Sequence, residues 1–187
     1  MTVSGQVANY QMKKFYKIIF TLIPLIFISS IIVGEEFTEK KSYRDWSVFV
    51  SNRGSCFLAS NAKTTKSIVN STEIVGRNRT NAFLYFLYDK SMNNYSISYF
   101  SDFPLQKNEN GIIQIDSKKE IPLKVQTTEN KVNFKNAGVL SISNNDVNLL
   151  IAGTKITAVF TAVDGSTLID KFSLIGFTKS LKYLSKN

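Results

Sequence analysis

Apolar and polar residues alternate in short runs over most of the chain after residue 44. Tyr95, Ile97 and Tyr99 alternate with serines, and the stretch 155–163 places Ile156 and Phe160 on one face. Successive side chains of a strand point to opposite faces, so a period of two predicts half-buried β-strands. Further strands are predicted over residues 46–51, 56–59, 113–115, 121–125, 139–142 and 167–174.

Two short segments are predicted to be helical instead. Residues 146–152 follow polar capping residues and precede Gly153, which is typical of a helix of one or two turns. Phe177, Leu181 and Leu184 recur at i, i+4 and i+7, which predicts a short amphipathic C-terminal helix. We therefore predict an all-β fold, an antiparallel β-sandwich or partly closed barrel with a short helix near 146–152 and a short C-terminal helix.

The stretch 18–34 carries no charge, with three lysines just before it and Glu35 and Glu36 just after. A basic start, a short apolar centre and a small final residue are typical of a signal peptide. The strongly apolar part is shorter than the roughly 20 residues that a membrane-spanning helix needs. We interpret residues 1–34 as an N-terminal extension and signal peptide (or anchor), and residues 35–187 as a single β-sandwich domain, periplasmic or secreted.

The charge of the chain is moderately basic, with a formal net charge of +9. Three lysines precede residue 35, so residues 35–187 keep 20 bases against 14 acids, a net charge of +6. The bases are scattered, whereas a nucleic-acid binder clusters them on one element. We expect no nucleic-acid partner and interpret the charge as a solvated basic surface; the alternative is attraction to an anionic membrane surface or an acidic polysaccharide.

The chain contains no histidine and one cysteine, Cys56. Nucleophile–histidine catalysis, histidine-containing zinc sites and an intrachain disulfide are therefore excluded. We assign no catalytic, cofactor-binding or metal-binding residue and predict a protein that is not an enzyme. The alternative is a hydrolase without histidine, with a Ser–Lys pair or a carboxylate pair. Its carboxylate candidates are Asp45, Glu73, Asp89, Asp102, Asp116, Asp164 and Asp170.

The aromatic residues are expected to fill the core. The run 82–88 does not alternate, which predicts a central strand covered on both faces. Its rings would also suit a platform for stacking sugars or bases, but aromatic side chains fill sandwich cores too. Trp46, the one tryptophan, is interpreted as a core residue. The polar stretch 61–81 is interpreted as a surface loop with at most one short strand, and 35–44 as an extended lead-in.

Three motifs carry a family resemblance: Tyr43-Arg44-Asp45-Trp46-Ser47-Val48, Cys56-Phe57-Leu58 and Phe172-Ser173-Leu174-Ile175-Gly176-Phe177-Thr178. Together they resemble the invasion-associated locus B family of exported bacterial proteins. They correspond to its aromatic-Asp-Trp opening, its cysteine before apolar residues and the segment before its last helix. The residues taken as the structural motif are Asp45, Trp46, Cys56, Phe172, Ser173, Leu174, Gly176 and Phe177.

One departure from the family pattern concerns Cys56. The family usually has a second cysteine soon after the tryptophan, where this chain has Val48, Phe49 and Val50, so the usual bridge is missing. The resemblance implies an exported envelope protein without an agreed reaction or catalytic residues. We therefore expect a non-enzymatic envelope or periplasmic domain that binds a protein or an envelope component. A membrane-anchored surface protein is the remaining alternative.

Overall fold

The computed structural model describes residues 36–74, 79, 82–89, 93–107, 109–125 and 136–186. The predicted leader, 18–34, lies outside the described residues. The chain from Glu36 to Asn187 is one compact unit. None of the described helices has both the length and the apolar character needed to cross a membrane.

The described residues form twelve strands and two short helices. The strands are β1 (Phe37–Tyr43), β2 (Trp46–Ser51), β3 (Cys56–Asn61), β4 (Thr64–Val69), β5 (Thr72–Glu73), β6 (Phe83–Asp89), β7 (Asn94–Phe100), β8 (Asn110–Ile115), β9 (Lys119–Val125), β10 (Asn136–Ile142), β11 (Lys155–Thr161) and β12 (Thr167–Ser173). The helices are α1 (Asn144–Ala152) and α2 (Phe177–Leu184). The α1 helix starts two residues earlier than predicted, because Ser143 and Asp146 form a reciprocal capping box there.

The strands form one antiparallel ladder in the order β1-β2-β3-β6-β7-β10-β9-β8-β11-β12-β4-β5. At the β9–β10 junction the described residues pair at two positions, Val125 with Ala137 and Lys124 with Gly138. There the ladder folds over, so that β1-β2-β3-β6-β7-β10 form one layer and the other six strands form the second. Tyr99 of β7 stacks on Phe160 of β11 at 4.3 Å between ring centroids, so the two layers face each other. The predicted antiparallel sandwich is confirmed, without closure into a barrel.

The core lies between the two layers, on the inward positions of the alternating strands. Trp46 is 1% exposed, and Leu58 and Phe86 are fully buried. Helix α2 closes one end of the sandwich, with the Phe177 ring 5.0 Å from the rings of both Trp46 and Phe86. The predictions of Trp46 as a core residue and of a C-terminal helix with one apolar face are confirmed.

Two polar segments contain more strand than was predicted, which was an extended lead-in for one and a loop with at most one short strand for the other. The lead-in 35–44 contains β1, which pairs with β2 along its whole length. The loop 61–81 contains β4 and the two-residue β5, with β4 paired to β12 at five positions. Both β1 and the β4–β5 pair lie at the ends of the ladder. Edge strands can expose polar side chains on most positions, which hides the alternation that marks a half-buried strand.

The prediction that β6 is covered on both faces was also wrong. The strand is central, between β3 and β7, but only its inward residues, Leu84 and Phe86, are fully buried. The side chains of Phe83 and Tyr85 are partly exposed on the outer face of the first layer.

Candidate functional site

The outer face of the first layer carries aromatic side chains at positions that usually hold polar ones. Phe49 of β2 and Phe57 of β3 lie directly opposite each other, with rings stacked at 5.0 Å and 12°. Phe37 contacts Phe57 edge-on at 4.9 Å, and Tyr85 contacts it at 5.5 Å. Four rings from four strands therefore form one continuous aromatic wall on the solvent side of the sheet.

Small residues beside this wall leave a depression across the strands. Ser47 pairs with Ala59, and Ala59 pairs with Tyr85, so the three lie in one row of the outer face. The small side chains of Ser47 and Ala59 lie between rows of larger side chains. They leave a groove of about 550 Å³, which Tyr85 also lines. We call this groove the trough. Its lining is Phe37, Glu39, Arg44, Asp45, Ser47, Phe49, Phe57, Ala59, Ser60, Asn61, Lys63, Phe83 and Tyr85.

The wall of the trough opposite Phe49 and Phe57 is polar. It carries Asp45 from the β1–β2 turn, Asn61 from the end of β3 and Lys63 from the β3–β4 link. The Lys63 ammonium donates to the Asp45 carboxylate, and this bond, followed by one from Ser173, lowers the pKa of Asp45. The trough therefore offers an ionised carboxylate, an amide and an ammonium group across from a hydrocarbon surface.

A second cluster of charged side chains lies inside the sandwich. The guanidinium of Arg79, 1% exposed, donates two hydrogen bonds to the fully buried Asp170 at 2.7 and 2.8 Å. It also donates to Asp102, at 3.0 and 3.2 Å, and to the carbonyl of Lys66 at 2.9 Å. The hydroxyl of Tyr99 donates to Asp170 from the facing layer. This buried ionic cluster therefore ties both layers to the segment that contains Arg79.

Burial dominates the pKa shifts in the buried ionic cluster. Desolvation raises the pKa of Asp170, while the hydrogen bonds from Arg79 and Tyr99 oppose that shift. Burial next to Asp170 raises the pKa of Tyr99, so its hydroxyl keeps its proton and remains a donor. The side chains of Arg79 and Asp170 are buried from solvent, and their hydrogen bonds hold the guanidinium and the carboxylate in fixed positions.

The carboxylate candidates fall into separate surroundings. Asp102 and Asp170 share the guanidinium of Arg79, which occupies the space between them. The others lie apart: Asp45 pairs with Lys63, Glu73 pairs with Lys66 at 2.6 Å, Asp116 accepts from Thr154 and Lys155, Asp164 accepts from Ser166, and Asp89 lies at the end of β6 opposite Asn94. Among the described residues, no group of three histidine, cysteine or acidic side chains is placed to hold a metal ion.

The residues of the structural motif meet where the β1–β2 turn packs against the β12–α2 link. The indole N–H of Trp46 donates to the carbonyl of Ser173 at 2.9 Å, and the amide of Asp45 donates to the carbonyl of Ile175 at 3.2 Å. Gly176 has φ +98°, and a Cβ there would lie 1.7 Å from the carbonyl oxygen of Tyr43. Only glycine fits this close approach. The motif therefore fixes the closed end of the sandwich.

Three further motif residues differ in how far their side chains are buried. Phe172 and Leu174 lie in the core, 1% and 5% exposed. Cys56 lies apart from the rest, half-buried at the start of β3 with its thiol 3.5 Å from the carbonyl of Gly54. Burial raises the pKa of the Cys56 thiol.

The arrangement of layers, turn and terminal helix can be compared with solved structures. The crystal structure of invasion associated protein B from Bartonella henselae superposes with a TM-score of 0.60 and 18% identity, over 80% of this chain and 97% of that one. The chain has the invasion associated protein B fold. The resemblance inferred from the sequence motifs is thereby confirmed at the level of the fold. No family model and no curated protein matches the sequence.

Reasoning from sequence offered the trough in this invasion associated protein B fold only as an alternative. The rings of the run 82–88 were expected to fill the core or, alternatively, to form a stacking platform; Phe86 lies in the core, whereas Phe83 and Tyr85 line the trough. The two runs 46–50 and 82–88 contained a signal, because each carries apolar residues at both odd and even positions and so on both faces of a strand. In an antiparallel sheet with one solvated face, that pattern indicates an apolar outer surface as well as a core.

Proposed function

We propose that this chain is an exported, non-enzymatic envelope or periplasmic domain that binds another protein or an envelope component through the trough. The signal-like segment 18–34 supports export. The likeness of fold to a protein named as invasion associated adds an analogy, which concerns architecture alone.

The open aromatic wall is the observation that carries the proposal. An antiparallel sheet with one solvated face normally exposes polar side chains there. Here Phe37 is 39% exposed at the outer end of a wall that includes Phe49, Phe57 and Tyr85. Exposed apolar surface bordered by polar groups is typical of interaction sites. A concave form and a volume of about 550 Å³ fit the size range of ligand sites.

A trough-filling variant tests the proposal. Ala59→Phe places a ring on the trough floor and removes no existing group, while Thr157→Phe places the same ring on the outer face of β11 in the second layer. We expect the wild-type protein and Thr157→Phe to capture the same component from an envelope extract, and Ala59→Phe to lose it. Equal capture by Ala59→Phe, or none by the wild-type protein, would contradict the proposal.

Compartment and activity need separate measurements. Mass spectrometry of the native N-terminus should find a fragment that begins near Glu35 in the periplasmic or secreted fraction. An intact N-terminus in the membrane fraction would support the anchored alternative. Turnover of ester, peptide or glycoside substrates by the purified protein, absent from an inactive preparation, would contradict the non-enzymatic assignment.

A further inference from the structure

We infer that the trough binds a saccharide of an envelope polysaccharide, with one ring face against Phe49 and Phe57 and the hydroxyl groups toward Asp45, Asn61 and Lys63. The inference rests on the proposed function and names the ligand class of the same site.

The two unlike walls of the trough match a ligand with two unlike surfaces. Phe49 and Phe57 are stacked on each other within 12° of parallel, so each ring covers a face of the other, and the ring surface left uncovered forms one apolar wall of the trough. The opposite side carries Asp45, Asn61 and Lys63, together with Phe83, which pairs with Asn61. A pyranose ring has a C–H face that packs on aromatic rings and an edge of hydroxyl groups. An acyl chain would desolvate the Asp45–Lys63 ion pair and the Asn61 amide without adding a hydrogen bond to any of them, which costs free energy.

The polar wall supplies both kinds of hydrogen-bonding group that a sugar hydroxyl requires. The carboxylate of Asp45 only accepts, the ammonium of Lys63 only donates, and the amide of Asn61 does both. Lys63 holds Asp45 in place while its own side chain remains 53% exposed. Each sugar hydroxyl donates one hydrogen bond and accepts others, so neighbouring hydroxyl groups can pair with this set.

An extended peptide is a weaker fit, because the strand edge beside the trough is blunted. Strand β1 is irregular between Glu39 and Lys41, and both Lys40 and Lys41 are exposed. A bulge and lysines on an edge strand hinder the addition of another strand. A peptide would therefore gain few backbone hydrogen bonds here, whereas a ring ligand on the face of the sheet needs none from the edge.

The charges at the trough balance, so neutral and acidic saccharides share the chemistry of the site. Arg44 and Lys63 are opposed by Glu39 and Asp45. The basic net charge of residues 35–187, 20 bases against 14 acids or +6, concentrates anionic polymers near the protein without selecting a ring. The test therefore compares chito-oligosaccharides with oligogalacturonates of the same length.

Binding should be measured with the purified full-length protein by calorimetry, and by saturation-transfer NMR to detect the sugar protons near the rings. Ala59→Phe should abolish binding, with Thr157→Phe as its control. Phe49→Leu keeps an apolar side chain but removes the ring, and should weaken binding about threefold to tenfold. Asn61→Ala should weaken it by a similar factor, whereas the exposed Asn110→Ala should leave it unchanged.

The outcomes separate this inference from the proposed function. Binding of either saccharide that disappears in Ala59→Phe supports both. If the wild-type protein binds neither saccharide but captures an envelope protein in a manner that Ala59→Phe abolishes, the saccharide inference is overturned and the binding function stands. Saccharide binding that persists in Ala59→Phe also overturns the inference, because the site then lies elsewhere. Loss of both kinds of binding in the wild-type protein contradicts both proposals.

Discussion

Replacement of Arg79 by methionine is the sharpest test of the buried ionic cluster. Methionine keeps a flexible apolar side chain of comparable reach but removes the guanidinium. That group contacts Asp170, Asp102 and the carbonyl of Lys66, and its side chain is 1% exposed. The substitution therefore leaves the carboxylate of Asp170, which is fully buried, without its cation.

The expected loss follows from that unpaired charge. Removal of one partner of a buried ion pair destabilises a protein by about 3–5 kcal/mol. The matched control is Lys66→Met, since Lys66 pairs with Glu73 on the surface with side chains 45% and 47% exposed. Exposed pairs contribute about 0–1 kcal/mol. Replacement of both partners, Arg79→Met with Asp170→Leu, should recover part of the loss, because it removes the fully buried carboxylate but still takes the guanidinium from Asp102 and the acceptor from the Tyr99 hydroxyl.

The loss should depend on pH with a definite sign. Burial already raises the pKa of Asp170, and Arg79 opposes that shift. Without Arg79 the folded-state pKa rises further above the unfolded value of about 3.9. A group with a raised pKa stabilises the folded state below its unfolded pKa, and this contribution is lost as pH rises through the folded pKa. The stability of Arg79→Met should therefore fall, relative to the wild-type protein, as pH increases.

Urea unfolding followed by the fluorescence of Trp46, the one tryptophan and 1% exposed, measures these changes. The chain has no histidine, so few other groups titrate from about pH 5 to about pH 8. If Arg79→Met does not fold, Tyr99→Phe removes a single donor to Asp170 and should cost about 2 kcal/mol. A loss below about 1 kcal/mol in Arg79→Met, or one that is equal at both ends of this pH range, would refute the reasoning.

Two further predictions concern the turns. Gly176→Ala should destabilise the protein by clearly more than the roughly 1–2 kcal/mol of left-handed strain, since its Cβ would overlap the carbonyl of Tyr43. Gly165→Ala, at φ +80° with nothing within 4 Å, should cost that strain alone, and equal losses in urea unfolding would contradict the close approach. Asp116→Asn should lose about 1 kcal/mol near neutral pH, because the bonds from Thr154 lower the pKa of Asp116. A lowered pKa gives stability that is lost as pH falls, so the difference from the wild-type protein should vanish in acid, and a constant difference would count against it.

The layered architecture could be predicted because the central strands alternate between apolar and polar residues, which is the pattern of strands with one buried face. Strand β11 alternates cleanly, with Ile156 and Phe160 buried in the core. The edge strands could not be found in the same way, since β1 is polar from Thr38 to Ser42 and is held by its ladder to β2. Each edge strand forms because it pairs with a neighbouring strand, and the sequence of the edge strand alone does not show that pairing.

The two charged sites were beyond local patterns for a different reason. Arg79 and Asp170 are 91 positions apart, and nothing in their neighbourhoods marks them as partners. The trough depends on register, because Ser47 faces Ala59 only through the pairing of β2 with β3. A shift of one residue would turn every side chain of a strand to the other face. Sequence could therefore supply the residue types of the trough but not their juxtaposition.

The edges of the sheet and the outer face of its first layer differ in a way that supports the proposal of a ligand on that face. The β1 edge is irregular beside Lys41, the β5 edge is two residues long, and Arg79 covers the carbonyl of Lys66 on β4. Such features limit pairing with other chains. The rings of Phe49 and Phe57, by contrast, lie half-buried on the outer face of the same sheet and line the trough. Blunted edges beside an aromatic trough support the proposal that a ligand contacts the face of the sheet and does not extend its edge.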